Sequence, residues 1–112
     1  MKQCVEIRSY NLKPGIRDNF HRLVVERAGP MLQRWKVDVV DYGPSPHDAD
    51  SYYLIRAYQS LEAREQSQGA FYGSAEWRDG PRDSILALIE SYATIVLMLD
   101  DLVVQGLRRA PA

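Results

Sequence analysis

The sequence predicts a single α+β domain in which a layer of helices covers an antiparallel sheet. Four stretches have the alternation or the β-branched and aromatic content typical of strands. Two longer stretches with helical spacing separate the first strand from the second and the third from the fourth. Only a short polar loop lies between the second and third strands. The order β-α-β-β-α-β is the ferredoxin-like arrangement, with a four-stranded sheet and both helices on one face.

Alternation and chain breakers define the elements of the first half. Val5 and Ile7 alternate with charged and aromatic residues, and Pro14 and Gly15 form the turn that follows. Gly29 is interpreted as a helix end. The predicted elements are a strand at Gln3–Tyr10, a helix at Gly15–Ala28, a further helical turn opened by Pro30, and a strand at Val37–Tyr42.

In the second half of the chain, a helix cap and chain breakers again mark the limits of the elements. Ser60 is a favourable helix cap, Gly69 is expected to weaken the helix, and Asp79-Gly80 breaks the chain before Pro81. The predicted elements are a strand at Tyr52–Tyr58, a helix after Ser60, an irregular or short helical stretch at Phe71–Trp77, a helix from Pro81 to Ile89, a strand at Tyr92–Leu99, and a short docked helix within Leu99–Arg109.

A short internal repeat relates the two halves. Arg8-Ser9-Tyr10 in the first strand corresponds to Arg56-Ala57-Tyr58 in the third. The repeat makes these the two central strands and brings Arg8 and Arg56 to one face of the sheet. Because two guanidinium groups repel each other, we expect an anion beside them, either Glu6 or a bound carboxylate, phosphate or enolate. The alternative is an Arg–Glu–Arg network that only orders a dimer interface.

Three stretches resemble the NIPSNAP family: E-I-R-S-Y-N-L-K-P-G near the start, E-R-A-G-P, and F-Y-G-S-A-E-W-R. The resemblance covers about residues 3–99 of a single domain spanning 1–112, with a tail helix over 100–112. It implies a ferredoxin-like protomer of the dimeric α+β barrel superfamily, which dimerises through its open sheet face. Wider relatives include cofactor-free oxygenases, haem-degrading oxygenases and lactone isomerases. No residue set here matches their catalytic sets, so the resemblance implies fold and dimer alone.

The predicted layering also favours a homodimer. One layer of helices covers one side of the sheet, and the other side is expected to carry Tyr10, Leu54, Tyr58 and part of the fourth strand. An apolar and aromatic patch of this size is rarely left in water. Packing two sheets face to face would bury it.

The candidate ligand site combines the repeat with aromatic residues. Arg8 and Arg56 are expected to hold an anionic or carbonyl group, with Glu6 as partner or base. Tyr72 and Trp77 flank a glycine-containing segment suited to a lid, although Trp77 is equally compatible with the core. The candidate residues are Glu6, Arg8, Tyr10, Arg56, Tyr58, Tyr72 and Trp77.

Composition argues against several classes of function. A net charge of −1 offers no basic field for nucleic acid, although RNA-recognition domains share this topology. No apolar run is long enough to cross a membrane, and the N-terminus enters a strand at once, so we expect a cytoplasmic protein. Cys4, His21 and His47 lack metal-ligand spacing. One interpretation of His21 is a haem ligand or general base, but its position beside the apolar stripe favours a partly exposed boundary residue.

The sequence therefore predicts a homodimer that binds a small anionic or carbonyl-containing molecule and uses no cofactor or metal. Two alternatives stay open. One is a non-catalytic dimeric binding or scaffold protein. The other is a cofactor-free monooxygenase or isomerase.

Overall fold

A computed structural model describes residues 3–108, and it has the predicted order of strands and helices. The expected tail beyond 108 lies outside the described residues. The elements are β1 (Cys4–Leu12), α1 (Arg17–Leu23), a π-helical turn (Val24–Ala28), α2 (Gly29–Arg34), β2 (Asp38–Pro44), β3 (Ser51–Tyr58), α3 (Leu61–Tyr72), α4 (Ala75–Arg78), α5 (Arg82–Leu86), β4 (Ile89–Met98) and α6 (Asp101–Leu107).

The four strands form one antiparallel sheet in the order β2-β3-β1-β4. The predicted ferredoxin-like α+β fold is thus confirmed, with β1 and β3 at the centre. Glu6 lies opposite Arg56, and Arg8 lies opposite Leu54, so all three polar side chains share one face. Cross-strand neighbours on one face interact directly, which explains why this charged group forms.

The first helical region is longer than predicted, because Gly29 does not end it. The chain passes through the π-helical turn into α2, and Gly29 has helical dihedral angles. A regular helix would bring the ring of Pro30 against the carbonyl of Glu26, four residues earlier. The wider turn lies directly before this proline and carries the chain on as a helix.

Three other boundaries differ from expectation by three residues, whereas β1 and β2 each end two residues later than predicted. The helix after Ser60 continues through Gly69 to Tyr72, and the helix expected over Pro81–Ile89 is limited to α5. The residues after α5 turn into β4, which begins at Ile89 rather than Tyr92. Single glycines cost helix stability without ending a helix that is packed on one side, which accounts for the error at Gly69.

The helices pack on one face of the sheet and enclose the main core. Phe20 and Tyr52 are almost fully buried at its centre, with ring centroids 5.0 Å apart. Phe71, Trp77 and Ile85 bring the second helical region onto the same cluster. Burial of these aromatic side chains supplies much of the hydrophobic stabilisation.

The expectation that Tyr10, Leu54 and Tyr58 lie on the open face is wrong. Leu54 and Tyr58 are buried beneath the helices, and Tyr10 packs on Phe20 with ring centroids 5.4 Å apart. The opposite face carries the alternate residues of each strand. These include Val5 and Ile7 of β1, Ile55 and Ala57 of β3, and Ile95 and Leu97 of β4.

The tail helix α6 covers one end of this opposite face. Val104 is fully buried against Val5, Val40 and Ala57. Arg108 donates two hydrogen bonds of 2.8 Å to Asp38, which attaches the end of the helix to β2. The expectation of a short docked helix is met over Asp101–Leu107. Among residues 3–108, no helix combines the length and apolar character needed to cross a membrane.

Capping of α3 gives a first testable prediction. The Ser60 side chain accepts a hydrogen bond of 3.0 Å from the backbone N–H of Ala63. Replacing Ser60 with Ala leaves this N–H without its partner and is expected to lower the free energy of unfolding by about 1 kcal/mol. Urea denaturation measures the loss. A Ser60→Asp variant, which keeps an acceptor, should retain most of the stability, and equal losses in both variants would contradict the capping role.

Candidate functional site

Glu6 is the centre of a polar cluster buried between the sheet and α3. Its carboxylate has no exposed surface. Arg56 pairs with it from the neighbouring strand through both Nη2 and Nε, the latter at 3.2 Å. From α3, Arg64 Nε donates at 2.7 Å and the Gln68 amide donates as well. Both carboxylate oxygens are therefore occupied by donors from the protein itself.

The polar face of α3 supplies the upper half of this cluster. Arg64, Gln68 and Tyr72 are spaced four residues apart, so their side chains leave the helix on one side, toward the sheet. The hydroxyl oxygen of Tyr72 accepts hydrogen bonds from Arg56 Nη1 at 2.8 Å and from Arg8 Nη1 at 3.3 Å. The helix thus rests on the sheet through hydrogen bonds where most helices use apolar contacts.

The electrostatics of the cluster favour a charged Glu6. Burial alone would raise the pKa of this carboxyl, but the charge of Arg56 and the hydrogen bonds from Gln68 and Arg56 outweigh it. The pKa of Glu6 is lowered to about 2. Within the described residues, the ion pairs of Arg8, Arg56 and Arg64 all go to this one carboxylate. Three positive charges against one negative charge leave the cluster with an excess of positive charge.

Arg8 is the least satisfied of the three arginines. Its Nη2 lies 3.5 Å from Glu6 Oε1, whereas the guanidinium groups of the other two arginines approach the Glu6 carboxylate more closely. Within residues 3–108, its buried Nε has no hydrogen-bond partner. The guanidinium lies over the ring of Tyr92, with its carbon 5.0 Å from the ring centroid. An unpaired N–H buried in this way costs free energy, and such groups are rare in folded proteins.

An open pocket of about 390 Å³ lies against Arg8. We call it the Arg8 pocket. Strands β1 and β4 form its floor, and α3, α4 and α5 form its walls. Its lining is mixed, with aromatic rings around the polar groups, and it includes Arg8, Tyr10, Gln68, Tyr72, Trp77, Arg82, Ile85 and Tyr92. Concave sites with a few convergent polar groups among aromatic side chains are typical of small-molecule binding.

The phenol group of Tyr10 stays protonated near pH 7. Burial, helped by the neighbouring Tyr72, raises the pKa of Tyr10 to about 12, although Arg56 and Arg8 partly offset the effect. The Tyr72 oxygen accepts from two guanidinium groups, which directs its own proton elsewhere. The pocket can therefore offer guanidinium and hydroxyl donors together to a bound oxygen anion.

The structure brings the residues predicted for the site into one region on the helix side of the sheet. Tyr58 is buried, and its hydroxyl accepts from Gln68 at 3.3 Å, so it belongs to the cluster beneath the pocket. Trp77 is both a core residue and part of the pocket wall, with its ring centroid 5.4 Å from that of Tyr72. The polar network lies inside the protomer and not on the open face.

Four residues of this region were missed in the sequence: Arg64, Gln68, Arg82 and Tyr92. Arg64 and Gln68 could have been found from the sequence, because their spacing of four residues places them on the same helix face as Tyr72. Arg82 lines the pocket and also forms an ion pair with Asp83, with Nη1 2.9 Å from Oδ1. Tyr92 lies directly opposite Tyr10 in the β1–β4 register, and its place at the pocket could be known only once that pairing was known.

The histidines lie outside this pocket. His21 on α1 is partly buried, and its Nδ1 lies 2.6 Å from the hydroxyl of Tyr52. His47 belongs to the β2–β3 loop, where its Nδ1 lies 2.7 Å from the Ser45 hydroxyl. Over residues 3–108, no group of three or more His, Cys, Asp or Glu side chains could hold a metal ion.

Several solved structures share this fold. A NIPSNAP family protein from Agrobacterium tumefaciens superposes with a TM-score of 0.80 at 21% identity, covering 89% of this chain and 88% of its own. A NIPSNAP-like domain protein from Burkholderia xenovorans gives a TM-score of 0.81 at 18% identity, with 89% and 87% covered. Identities this low show a shared fold and no more.

A third structure extends the comparison beyond that family. It is a protein from Bordetella bronchiseptica for which antibiotic biosynthesis monooxygenase activity has been suggested. Its TM-score is 0.71 at 18% identity, with 89% of this chain and 99% of its own covered. Curated proteins offer no significant sequence match. The profile of the NIPSNAP family matches residues 5–99. The chain therefore belongs to the NIPSNAP family.

Proposed function

We propose that this chain is a homodimeric binding protein for a small molecule with an anionic oxygen, such as a carboxylate or enolate. The observation that carries the proposal is the unpartnered, buried Nε of Arg8 beside an open pocket. A carboxylate next to this guanidinium would satisfy the N–H and offset the excess positive charge of the cluster. The bound oxygen would also lie close to the Tyr72 hydroxyl.

Glu6 has the role of counterion in this proposal, so that of the two roles expected from the sequence, partner or base, the proposal keeps the first. It has no exposed surface, and both of its oxygens accept hydrogen bonds from the protein. It is therefore not available to a ligand. Its function is to hold Arg56, Arg64 and Gln68 in fixed positions. Their alignment beneath Tyr72 and Arg8 prepares the pocket before a ligand binds.

The contrasting view is that the cluster only stabilises the fold of a scaffold protein. A network with that single purpose needs no more positive charge than its carboxylate can neutralise. Arg8 adds a third guanidinium, and its side chain is 13% exposed at the pocket. The excess charge and the access from solvent both favour a ligand site.

The dimer belongs to the same proposal and rests on the face opposite the helices. Ile95 is 57% exposed and Leu97 is 40% exposed in β4, next to the partly buried Ile7 of β1. On α6, Leu102 is 85% exposed. Exposed apolar side chains of this size favour association, and a second copy of the chain offers a face of the same shape and character.

Ile95→Lys tests the dimer. The substitution sets a charge in the middle of the proposed interface, and we expect a dimer to become a monomer at micromolar concentration. Analytical ultracentrifugation measures the change. Leu61→Lys is the matched control, because Leu61 is 51% exposed on the helix side, away from this face. A wild-type chain that is already monomeric, or a variant that stays dimeric, would contradict the proposed interface.

Native mass spectrometry of gently purified protein tests whether a ligand is bound. The mass of the native assembly is compared with the mass of the denatured chain. The proposal predicts a dimer that carries extra non-covalent mass, at up to one ligand per protomer. Extra mass that persists after Arg8→Met would refute a site built on Arg8. A bare dimer that then fails to bind any carboxylate in titration would refute the binding function altogether.

A further inference from the structure

Three hollow spaces lie in sequence through the helix–sheet interior. The first is the Arg8 pocket. The second is an internal void of about 50 Å³ in the core, and it shares Tyr10, Tyr72, Trp77 and Ile85 with the pocket. The third is a groove of about 410 Å³ along the π-helical turn and α2. Val24, Leu32 and Leu54 line both the void and the groove. The void therefore lies between the two openings.

We propose that the ligand is an amphipathic acid with an unbranched aliphatic tail. Its carboxylate is bound by Arg8, and the tail runs past Tyr72 and Trp77 into the internal void. This inference rests on the proposed function, since it requires an anion at Arg8. It adds the chemical class of the remainder of the ligand and the path that it takes through the protein.

The lining of the void selects an apolar tail. Apart from the phenol hydroxyls of the tyrosines and the indole N–H of Trp77, its walls are aliphatic and aromatic side chains, among them Phe20, Ala28, Leu32 and Phe71. A polar group moved into such a space would lose its hydrogen bonds to water, whereas each methylene group gains from burial. Dry apolar cavities in proteins bind apolar molecules for this reason.

The size of the void selects a narrow tail over a ring. A cavity of about 150 Å³ is known to accept benzene, and the void here is about 50 Å³. An aliphatic chain can thread such a space. The wide turn at Val24–Ala28 forms part of its wall, and irregular helical turns of this type often occur at functional sites.

Calorimetric titration with straight-chain monocarboxylates, from acetate to decanoate, tests the inference. We expect the dissociation constant to fall about fourfold for each added methylene group, as burial of apolar surface requires, until the void is filled. Neutral alcohols of the same lengths should bind much more weakly, since they lack the charge that Arg8 pairs with.

Ala28→Leu locates the tail. Ala28 lines the void, and the larger side chain is expected to fill it. The affinity for acetate should stay within about twofold, whereas the gain from longer chains should disappear. Ala70→Leu is the matched control, because Ala70 is exposed on α3 and lines none of the three spaces. Circular dichroism verifies that both variants are folded.

The possible outcomes separate this inference from the proposed function. Affinity that depends on Arg8 but not on chain length would overturn the aliphatic tail and leave the anion site intact. A dependence on chain length that survives Ala28→Leu would overturn the path through the void. If no acid binds, or if binding is unchanged in Arg8→Met, the proposed function itself fails. A length dependence that Ala28→Leu abolishes supports both.

Discussion

We expect Glu6→Gln to lower the free energy of unfolding by about 3–5 kcal/mol, the largest loss of any substitution considered for this protein. The variant leaves Arg56, Arg64 and Arg8 together without their counterion, and two of the three guanidiniums are held within 3 Å of its oxygens. A loss of this size is a large fraction of the stability of a typical domain. Urea denaturation of Glu6→Gln against wild type measures it.

The control for this variant is Glu65→Gln. Glu65 is exposed on α3, so the same chemical change there should alter stability by less than about 0.5 kcal/mol. If Glu6→Gln were as stable as the control, the carboxylate would not be the counterion that holds the cluster together. A variant too unstable to purify at 25 °C can be compared at lower temperature or with added ligand.

The acid dependence of stability follows from the same group. The pKa of Glu6 is about 2 in the folded chain, lowered from 4.5. Its stabilising contribution is therefore complete above pH 4.5 and is lost as the pH falls toward 2, by about 3 kcal/mol in total. The difference in stability between wild type and Glu6→Gln should narrow over this range. Parallel pH profiles for the two proteins would contradict the lowered pKa.

The second large effect is expected for Arg8→Met, and it separates binding from stability. Removing the guanidinium takes away the cationic group of the pocket, so binding of a probe such as hexanoate should weaken on the order of a hundredfold. Stability should change by less than about 1 kcal/mol, because the lost contacts to Tyr72 and Tyr92 and the long ion pair with Glu6 are offset by relief of repulsion from the other two arginines of the cluster. Calorimetric titration and urea denaturation measure the two quantities.

Arg22→Met is the matched control, since Arg22 is exposed on α1 and does not line the Arg8 pocket. It removes the same charge and should leave hexanoate binding unchanged. A purely structural network makes the opposite prediction, in which Arg8→Met lowers stability by several kcal/mol and any binding of hexanoate is retained. That result would favour the scaffold alternative.

The grouping of Glu6, Arg8 and Arg56 could be predicted because it depends on local pattern alone. A strand has a period of two residues, so Glu6 and Arg8 had to share a face. The repeat of Arg8-Ser9-Tyr10 in β3 then indicated that the two strands are equivalent, and the register confirms them as central neighbours. Strand order and polar grouping followed from these two facts.

The face covered by the helices could not be predicted in this way. On β1, one face carries Val5 and Ile7, while the other carries Glu6 and Arg8 between Cys4 and Tyr10, so each face can be buried. The side of α3 that packs on the sheet includes Arg64 and Gln68. A helix that buries polar side chains lacks the apolar stripe from which orientation is normally inferred.

The Arg8 pocket could not be predicted from the sequence, for a related reason. It is formed where β4, α3 and α5 meet, and its position depends on the early start of β4 at Ile89 and the short length of α5. The π-helical turn beside the internal void arises from Pro30 within a continuing helix, whereas Gly29-Pro30 in sequence favours a helix end. The position of the pocket and the π-helical turn both depend on tertiary packing.

The most direct test of the anion site is to observe the N–H of Arg8 itself by NMR. In ¹⁵N-labelled protein, the Arg8 Nε–H signal is identified by its disappearance in Arg8→Met and is followed while hexanoate is added. We predict that this signal shifts strongly and saturably with hexanoate, because the carboxylate supplies the missing acceptor, and that hexanol leaves it in place. A signal that hexanoate does not move, or that both compounds move equally, would contradict an anion-binding role for Arg8.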